Sequence, residues 1–506
     1  MNSQPSSTLT SGSLGSRETV QEQIDEKPRW KDGTEVDDIP LTPMQWRIWL
    51  LATAGKFFEG MVVFMTGVAL PLISFEFHLS PTEKGLVGAA SLFGILVGAT
   101  ALGGLADRFG RKQMFIAEMI LFTVFLIAVA LSPNFPVLII CLIGMGAALG
   151  CDYPTAHMVI SESIPSYCRG RLVLSAFGFQ AVGALVGTVV GLLILNSEKQ
   201  LYDWRLMFAT VIIPAILVCI GRFFIPQSAH WLMEKGEVNE AEKAVEDLLR
   251  RDPPYPVRVK LREVKDSPEE KKELGYGALL AKKKRRRATI LASVPWFLQD
   301  LGTYGIGIFT PIILTTAIGV KNTSARNLAE IFHNTTNSAR GAALIDVLLI
   351  VGIIAAVLLV DKVGRIRLQI MGFIGCAAGL FLAAMSGFAD GTTKLVLIFT
   401  GFMLFNFMTN MGPNAMTYLI AGEVFPTRVR GLGAGFAASF AKMGAVTTAF
   451  LFPILLKDIH TTALLMILVA TSLLGAYITW RFQIETTGVN LENLESEEAP
   501  PTKTTM

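Results

Sequence analysis

Charge is what this sequence has least of. Only 17% of its 506 residues are Asp, Glu, Lys or Arg, 52% are hydrophobic and the mean hydropathy is +0.50. Soluble domains carry about 25% charge, so the balance argues against a purely soluble enzyme. Neither sign dominates: 44 basic residues stand against 41 acidic, a net charge of +3. A nucleic-acid partner is not expected without a basic footprint. Cysteine is scarce as well. Cys141, Cys151, Cys168, Cys219 and Cys376 are odd in number, and all but Cys168 fall inside apolar stretches, so no disulfide framework is implied. Of five histidines only His157 lies within such a stretch, and no zinc spacing is present. Neither an enzyme nor a metal or other cofactor is expected. A charged-then-apolar leader with a small-residue cleavage site is also missing, so the first apolar stretch is expected to remain as a membrane helix.

What the chain has instead is a succession of apolar runs of bilayer-spanning length, about 20 residues each. Six of them cover Trp46 to Phe75 and residues 84–105, 113–132, 136–161, 172–195 and 205–225. A polar segment from Pro226 to Ala288 follows, and then six more near 289–319, 340–360, 367–387, 394–422, 432–456 and 462–482. The expected fold is an all-α membrane protein with twelve transmembrane helices in two pseudo-symmetric six-helix halves. Its divisions are a disordered tail at 1–43, a first half at 44–225, a central loop at 226–288, a second half at 289–484 and a tail at 485–506.

Loops after the second, fourth, eighth and tenth spans hold Arg108, Arg111, Lys112, Arg169, Arg171, Lys362, Arg365, Arg367, Arg428 and Arg430, whereas the opposite loops hold Lys84, Lys199, Lys321 and Arg326. Short basic loops resist export, which places both termini and the central loop in the cytoplasm. A cell membrane, plasma or bacterial inner, is the expected location. In the central loop, Glu237 to Arg251 reads as an amphipathic helix, and Lys282 to Arg287 as a basic anchor on anionic lipid. Asn322-Thr323-Ser324 and Asn334-Thr335-Thr336 fit the glycosylation pattern, which is common by chance.

The two halves carry the same punctuation. Asp107-x-x-Gly110-Arg111 recurs as Asp361-x-x-Gly364-Arg365, and Glu162-x-x-Pro165-x-x-x-Arg169-Gly170 recurs as Glu423-x-x-Pro426-x-x-x-Arg430-Gly431. Internal repeats of this kind build transporters whose site lies near the midplane between halves that rock. The loop motifs GGLADRFGRK and VDKVGRIR resemble the signatures of the major facilitator superfamily, over essentially residues 46 to 482. That resemblance implies that Asp107, Arg108, Arg111, Asp361 and Arg365 form a cytoplasmic latch, engaged in one access state and released in the other. The alternative is that these charges only fix topology.

Substrate chemistry must come from polar groups inside the spans, each costly in hydrocarbon unless it faces a cavity. They are Lys56, Glu59, Glu118, Asp152, Tyr153, Gln180, Gln299, Asp300, Asp346, Asn406, Asn410, Asn414 and Lys442. Trp296, Asp300 and Tyr304 are four apart and share one helix face. Lys56, three residues before Glu59, reads as a partner of that acid on the helix surface, and Asp346 has no motif around it.

GCDYP, WFLQDLGTYG, GPNAMTYLIAGEVFPTRVRG and AKMGA resemble the inorganic phosphate:proton symporter branch of the superfamily. The resemblance implies that Tyr153, Gln180, Trp296, Asp300, Tyr304, Asn414 and Lys442 surround an anion, and that Glu59, Glu118, Asp152 and Asp300 handle protons. FFEGMVVF and PQSAHWLMEKG depart from the branch, and Gln299 replaces a leucine. The expected function is a proton-coupled symporter working by alternating access, with phosphate as cargo and protons and the bilayer as its other partners. An ionised Asp300 would repel the anion, so binding is linked to its protonation. A sugar or organic-anion symporter and a non-transporting nutrient sensor remain as alternatives.

Overall fold

Apolar chain in a bilayer must bond its own amides, and helices are the outcome. The structure, a computed structural model, describes residues 9–10, 19–26, 29–30, 41–102, 105–197, 200–250, 261, 277–317, 328–425 and 430–486. In chain order the helices are α1 (Val20–Asp25), α2 (Pro43–Glu76), α3 (Pro81–Val97), α4 (Leu105–Phe109), α5 (Arg111–Ala130), α6 (Phe135–Ser163), α7 (Ser166–Ser197), α8 (Asp203–Phe223), α9 (Ala229–Glu234) and α10 (Val238–Leu249). Then come α11 (Gly277–Ala281), α12 (Lys283–Ala317), α13 (Leu328–Val363), α14 (Arg365–Met385), α15 (Gly391–Met411), α16 (Pro413–Glu423) and α17 (Arg430–Phe482). Apart from a two-residue pairing of Leu9–Thr10 with Arg29–Trp30, the described residues hold no strand.

Helix starts follow local chemistry. Thr42 and Ser80 cap α2 and α3 in reciprocal boxes with Gln45 and Glu83, each followed by proline at the first helical position. Gly110 and Gly364 precede α5 and α14 with φ of +102° and +94°. Only glycine adopts that backbone without strain, so the sequence repeat is also a conformational repeat.

Among the described residues, eleven stretches are long and apolar enough to cross a membrane. The last, α17, has 53 residues and would run about 80 Å if straight. It breaks at His460, whose φ of 61° and ψ of 162° are non-helical, so that it supplies two spans and the total is twelve. Gly391–Glu423 crosses once as α15 and α16.

Three expectations change. The tail at 1–43 is not wholly without structure: α1 is capped by Thr19 and buries Val20 and Ile24, while Asp25 accepts from the Ser166 amide and hydroxyl at 2.7 Å each. A carboxylate there satisfies an orphan donor at the start of α7. The basic run belongs to a helix rather than a loop, because α12 begins at Lys283 and Lys and Arg propagate helix well. Arg287 donates to the carbonyls of Phe482 and Gln483, tying the start of α12 to the end of α17. Asn334 lies within α13 beside a buried Thr335, not in a surface loop, and Asn322 lies outside the described residues. The amphipathic helix at 237–251 forms as α10, burying Ala241, Val245 and Leu248 against the start of α2, where Thr42 donates to the Leu248 carbonyl at 2.7 Å.

One end of the bundle, here the basic end, gathers Arg111, Arg169, Arg171 and Arg365 with the starts of α2 and α7 and the end of α17. Cations are not confined to it: Arg205, bonded to Glu76 at 2.7 Å, and Lys84, Lys394 and Lys457 lie at the other end. Within each six-helix set small residues let helices approach closely. A methyl on Gly60 would sit 2.0 Å from the Gln180 carbonyl oxygen, and one on Gly183 1.9 Å from that of Phe57, so α2 and α7 touch backbone to backbone. Gly444 likewise brings α17 near Phe297 of α12, where a methyl would sit 2.5 Å from the carbonyl oxygen. These two contacts position the site.

Candidate functional site

Four helices deliver one buried polar cluster where the first six spans meet the last six. Glu59 of α2 is its hub. Its Oε2 accepts from Lys56 Nζ at 2.5 Å, and its Oε1 accepts from Tyr304 Oη at 2.8 Å, Lys442 Nζ at 3.1 Å and Gln180 Nε2 at 3.3 Å. Tyr304 in turn accepts from Lys442 at 2.5 Å and Gln180 at 2.9 Å. Asp300, one turn before Tyr304 on α12, stands 3.7 Å from Lys442 with its Oδ2 lacking a hydrogen bond. Lys56, Gln180, Trp296, Asp300, Tyr304, Asn414 and Lys442 line one narrow cavity. Two ammonium groups and two carboxylates make it formally neutral.

Burial overturns the surface reading of Lys56. Its side chain is 13% exposed and that of Glu59 5%, and Lys56 lines the cavity, so the pair is buried at the site rather than facing solvent or lipid. Asn414 sits at the rim, accepting from Gln299 at 3.0 Å and donating to Asn410 at 2.6 Å. The Tyr153 side chain lies outside the described residues.

Glu118 and Asp152 are not in this cavity. They belong to a second cluster, built by α5, α6 and α8 of the first half alone. Asp152 pairs with Arg222 at 2.5 Å, and Arg222, fully buried, also donates to the carbonyls of Phe115 at 2.6 Å and Leu51 at 3.3 Å. Its guanidinium lies 3.4 Å over the Phe115 ring. Glu118 accepts from Thr155 at 2.8 Å. Arg222 was missed in the sequence although an arginine inside a predicted span is itself a signal.

The two ends of the seam close differently. At the end away from the basic end, methyls on Gly67 and Gly85 would lie 2.2 and 2.3 Å from the carbonyl oxygens of Ile308 and Phe450, so backbones meet directly. Toward the basic end side chains do the closing. Phe177 of α7 stacks on Tyr418 of α16 at 4.6 Å, and Trp296 and His157 each meet Tyr418 edge-on at 6.2 Å. Below that layer Arg171 reaches across to Asp361 at 3.3 Å.

Of the expected latch, Asp361 and Arg365 pair at 3.1 Å, and Arg365 also reaches Glu423 at 3.3 Å. Arg111 pairs with Glu162 of its own half at 3.3 Å, and Glu162 also accepts from Ser228. Arg108 is exposed against the Phe109 ring and joins no ion pair among the described residues, and the Asp107 side chain lies outside them. Glu162 and Glu423, present in the repeated spacing, are the acids that the latch reading omitted, and Arg171 is the cation that crosses the seam.

The profile of a family described as "Sugar (and other) transporter" matches residues 48–497. The putative metabolite transport protein YwtG of Bacillus subtilis is 30% identical over 441 residues, covering 85% of this chain and 91% of that protein. A repressible high-affinity phosphate permease of Neurospora crassa is 27% identical, over 81% and 78% of the two chains. In fold, the chain is similar to the xylose transporter XylE of E. coli in a partially occluded inward-open conformation, with a TM-score of 0.71 at 21% identity, covering 89% of this chain and 100% of that one.

Proposed function

This chain belongs to the sugar (and other) transporter family of the major facilitator superfamily, transporters rather than enzymes, and from that premise we propose that it is a proton-coupled anion symporter, with inorganic phosphate as its cargo. One observation carries the reading. The Glu59 carboxylate holds four donors of the kind an incoming oxyanion needs: two ammonium groups, a phenol and an amide. Carboxylate and cargo therefore compete, and protonating Glu59 hands Lys56, Lys442, Tyr304 and Gln180 to the anion.

Charge counting gives the coupling. A monoanion entering a neutral buried cluster leaves one uncompensated negative charge, which costs several kcal/mol. One proton on Glu59 restores neutrality. A second on Asp300, whose Oδ2 is unbonded, gives the loaded carrier a net positive charge, worth about 2.3 kcal/mol per 100 mV of inside-negative potential. Trp296 and Asn414 complete the donor set.

The six-helix sets at 44–225 and 289–484 are the rocking bodies, and the basic end, with both termini, faces the cytoplasm of a cell membrane. Inner release requires parting Phe177 from Tyr418 and Arg171 from Asp361, contacts between side chains. Return requires the backbone contacts at Gly67 and Gly85 to separate on the outer side. Arg111–Glu162 and Arg365–Glu423 brace the helix ends that move.

The test is uptake by proteoliposomes under an inside-alkaline pH gradient. Labelled phosphate should accumulate, and excess hexose, pentose or small carboxylate should leave its uptake unchanged. Entry of a sugar or carboxylate with no entry of or competition by phosphate overturns the cargo; binding without flux would make the chain a sensor.

A further inference from the structure

Asp346 of α13 takes no part in the cluster at Glu59, yet it is a fully enclosed carboxyl on the seam between the two halves, 3% exposed. Its Oδ2 lies 2.8 Å from the Thr188 hydroxyl of α7. The same hydroxyl lies 3.0 Å from the Ala184 carbonyl oxygen, one turn back on its own helix. A threonine hydroxyl has one proton to give. The hydroxyl donates to the Asp346 carboxyl, with the Ala184 carbonyl as a second acceptor for the same proton. Among the described residues this shared hydroxyl is the one hydrogen-bond donor to Asp346, which is little to hold a buried negative charge and favours a proton on the carboxyl.

Among the described residues no cation pairs with this acid; on α13 itself Arg340, six residues earlier, donates to Asn196 instead, and Glu330, Asp361 and Lys362 lie near the helix ends. Of the helices packed against α13, α7 carries Arg169 and Arg171 in its first turns, α14 carries Arg365 and Arg367 in its first turn, and α15 has only Lys394, near its start. The ionisable groups of α2 are Arg47, Lys56, Glu59 and Glu76, and those of α12 are the basic run at 283–287 with Asp300 and Tyr304. Among the described residues none of these forms an ion pair with Asp346, and the one hydrogen bond to its carboxyl comes from Thr188. Asn406 of α15 gives its amide to the Ile345 carbonyl, next in sequence to Asp346.

Gln180, Ala184 and Thr188 follow one another at intervals of four along one face of α7. Thr188 is thus about 12 Å along the axis from the central cluster, away from the basic end. A cavity lined by Gln180, Ala184, Thr303, Leu349, Asn410 and Asn414 begins one turn from both partners and leads back to the cluster.

We propose that the Asp346–Thr188 contact is a second proton-binding site of the transport cycle: the carboxyl takes up a proton from water when the seam parts at this level, carries it sealed against Thr188, and returns it as the halves rock again. It rests on the symport reading. The step is a plain proton transfer, carboxylate to carboxylic acid and back.

The reconstituted full chain tests it with inorganic phosphate as the probe. In Asp346→Asn the proton-to-phosphate ratio, read from the reversal potential, should fall by about one, since a carboxyl binds one proton. An unchanged ratio overturns the proposal. A second measurement needs no cargo: infrared spectra of the purified protein at neutral pH should contain a protonated-carboxyl stretch that Asp346→Asn removes and Thr188→Val shifts. Absence of that band, or its persistence in Asp346→Asn, also overturns the proposal, whether or not phosphate is transported. A lost uptake with the band assigned to Asp346 instead refutes phosphate as cargo and leaves the proton site standing.

Discussion

The two buried charge clusters differ in what holds them. Around Glu59 the bonds run side chain to side chain between α2, α7, α12 and α17, so they cross the seam. Around Arg222 the partners are Asp152 and the backbone carbonyls of Phe115 and Leu51, all within the first six spans. On the proposed symport cycle, side-chain bonds across the seam would be exchanged by rotation and rocking. An arginine bonded to main-chain oxygens is released only if helices come apart. The same residue types thus do two jobs, and the helices they bridge decide which.

The comparison breaks most visibly at Glu59. Glu59→Gln imitates the protonated acid, so accumulation against a gradient should vanish while phosphate exchange across the membrane persists. Lys442→Ala removes a donor that Glu59 and the anion share, and uptake should fall by about 100-fold, roughly 3 kcal/mol of lost stabilisation. Accumulation by either variant at the rate of the parent would remove the cluster from coupling.

Arg222→Met should act on stability instead. It leaves Asp152 buried without its cation, a loss of about 3–5 kcal/mol that thermal melting in detergent would register. Adding Asp152→Asn should recover most of that loss. If Arg222→Met melts normally yet uncouples transport, the division between moving and anchoring charges fails.

A smaller effect lies at the basic rim. Burial, with Arg169 and Arg111 nearby, pushes the His230 imidazole in α9 down to about 4. The unfolded chain, with an ordinary value near 6.5, binds the proton first, so stability is full above about pH 6.5 and is lost as pH falls toward 4. A loss on the order of 1–3 kcal/mol is expected across that window. His230→Gln should flatten the pH dependence of melting there.

The smallest belongs to Arg171–Asp361, whose side chains are 72% and 46% exposed. An exposed pair contributes about 0–1 kcal/mol, so Arg171→Ala should leave melting unchanged and alter uptake less than about fivefold. A larger change would make this pair, rather than the Phe177–Tyr418 stack, the principal closure of the inner side.

Much of this was legible in the residues. Spanning runs announced the helices, and the repeated Asp-x-x-Gly-Arg appeared as matching positive-φ turns at Gly110 and Gly364. Spacing of four placed Asp300 and Tyr304 on one face, and both do line the cavity. Lys56 was misread because three-residue spacing says that two side chains meet, not whether lipid or protein surrounds them. Glu59 could not be seen as the hub, since its partner Lys442 is 383 residues away. Asp346 looked inert for a related reason: its partner Thr188 is a threonine with no motif around it.

By itself the sequence determined what a local rule can reach. Hydropathy over about 20 residues sets a span, a glycine sets a turn, and loop charge sets an expected side. Tertiary structure alone decided which buried charges are neighbours, and therefore which bonds cross the seam and which stay within one half. The reason is physical: the energy of a charge inside the bilayer depends on what lies within a few ångströms, and chain order does not encode that distance.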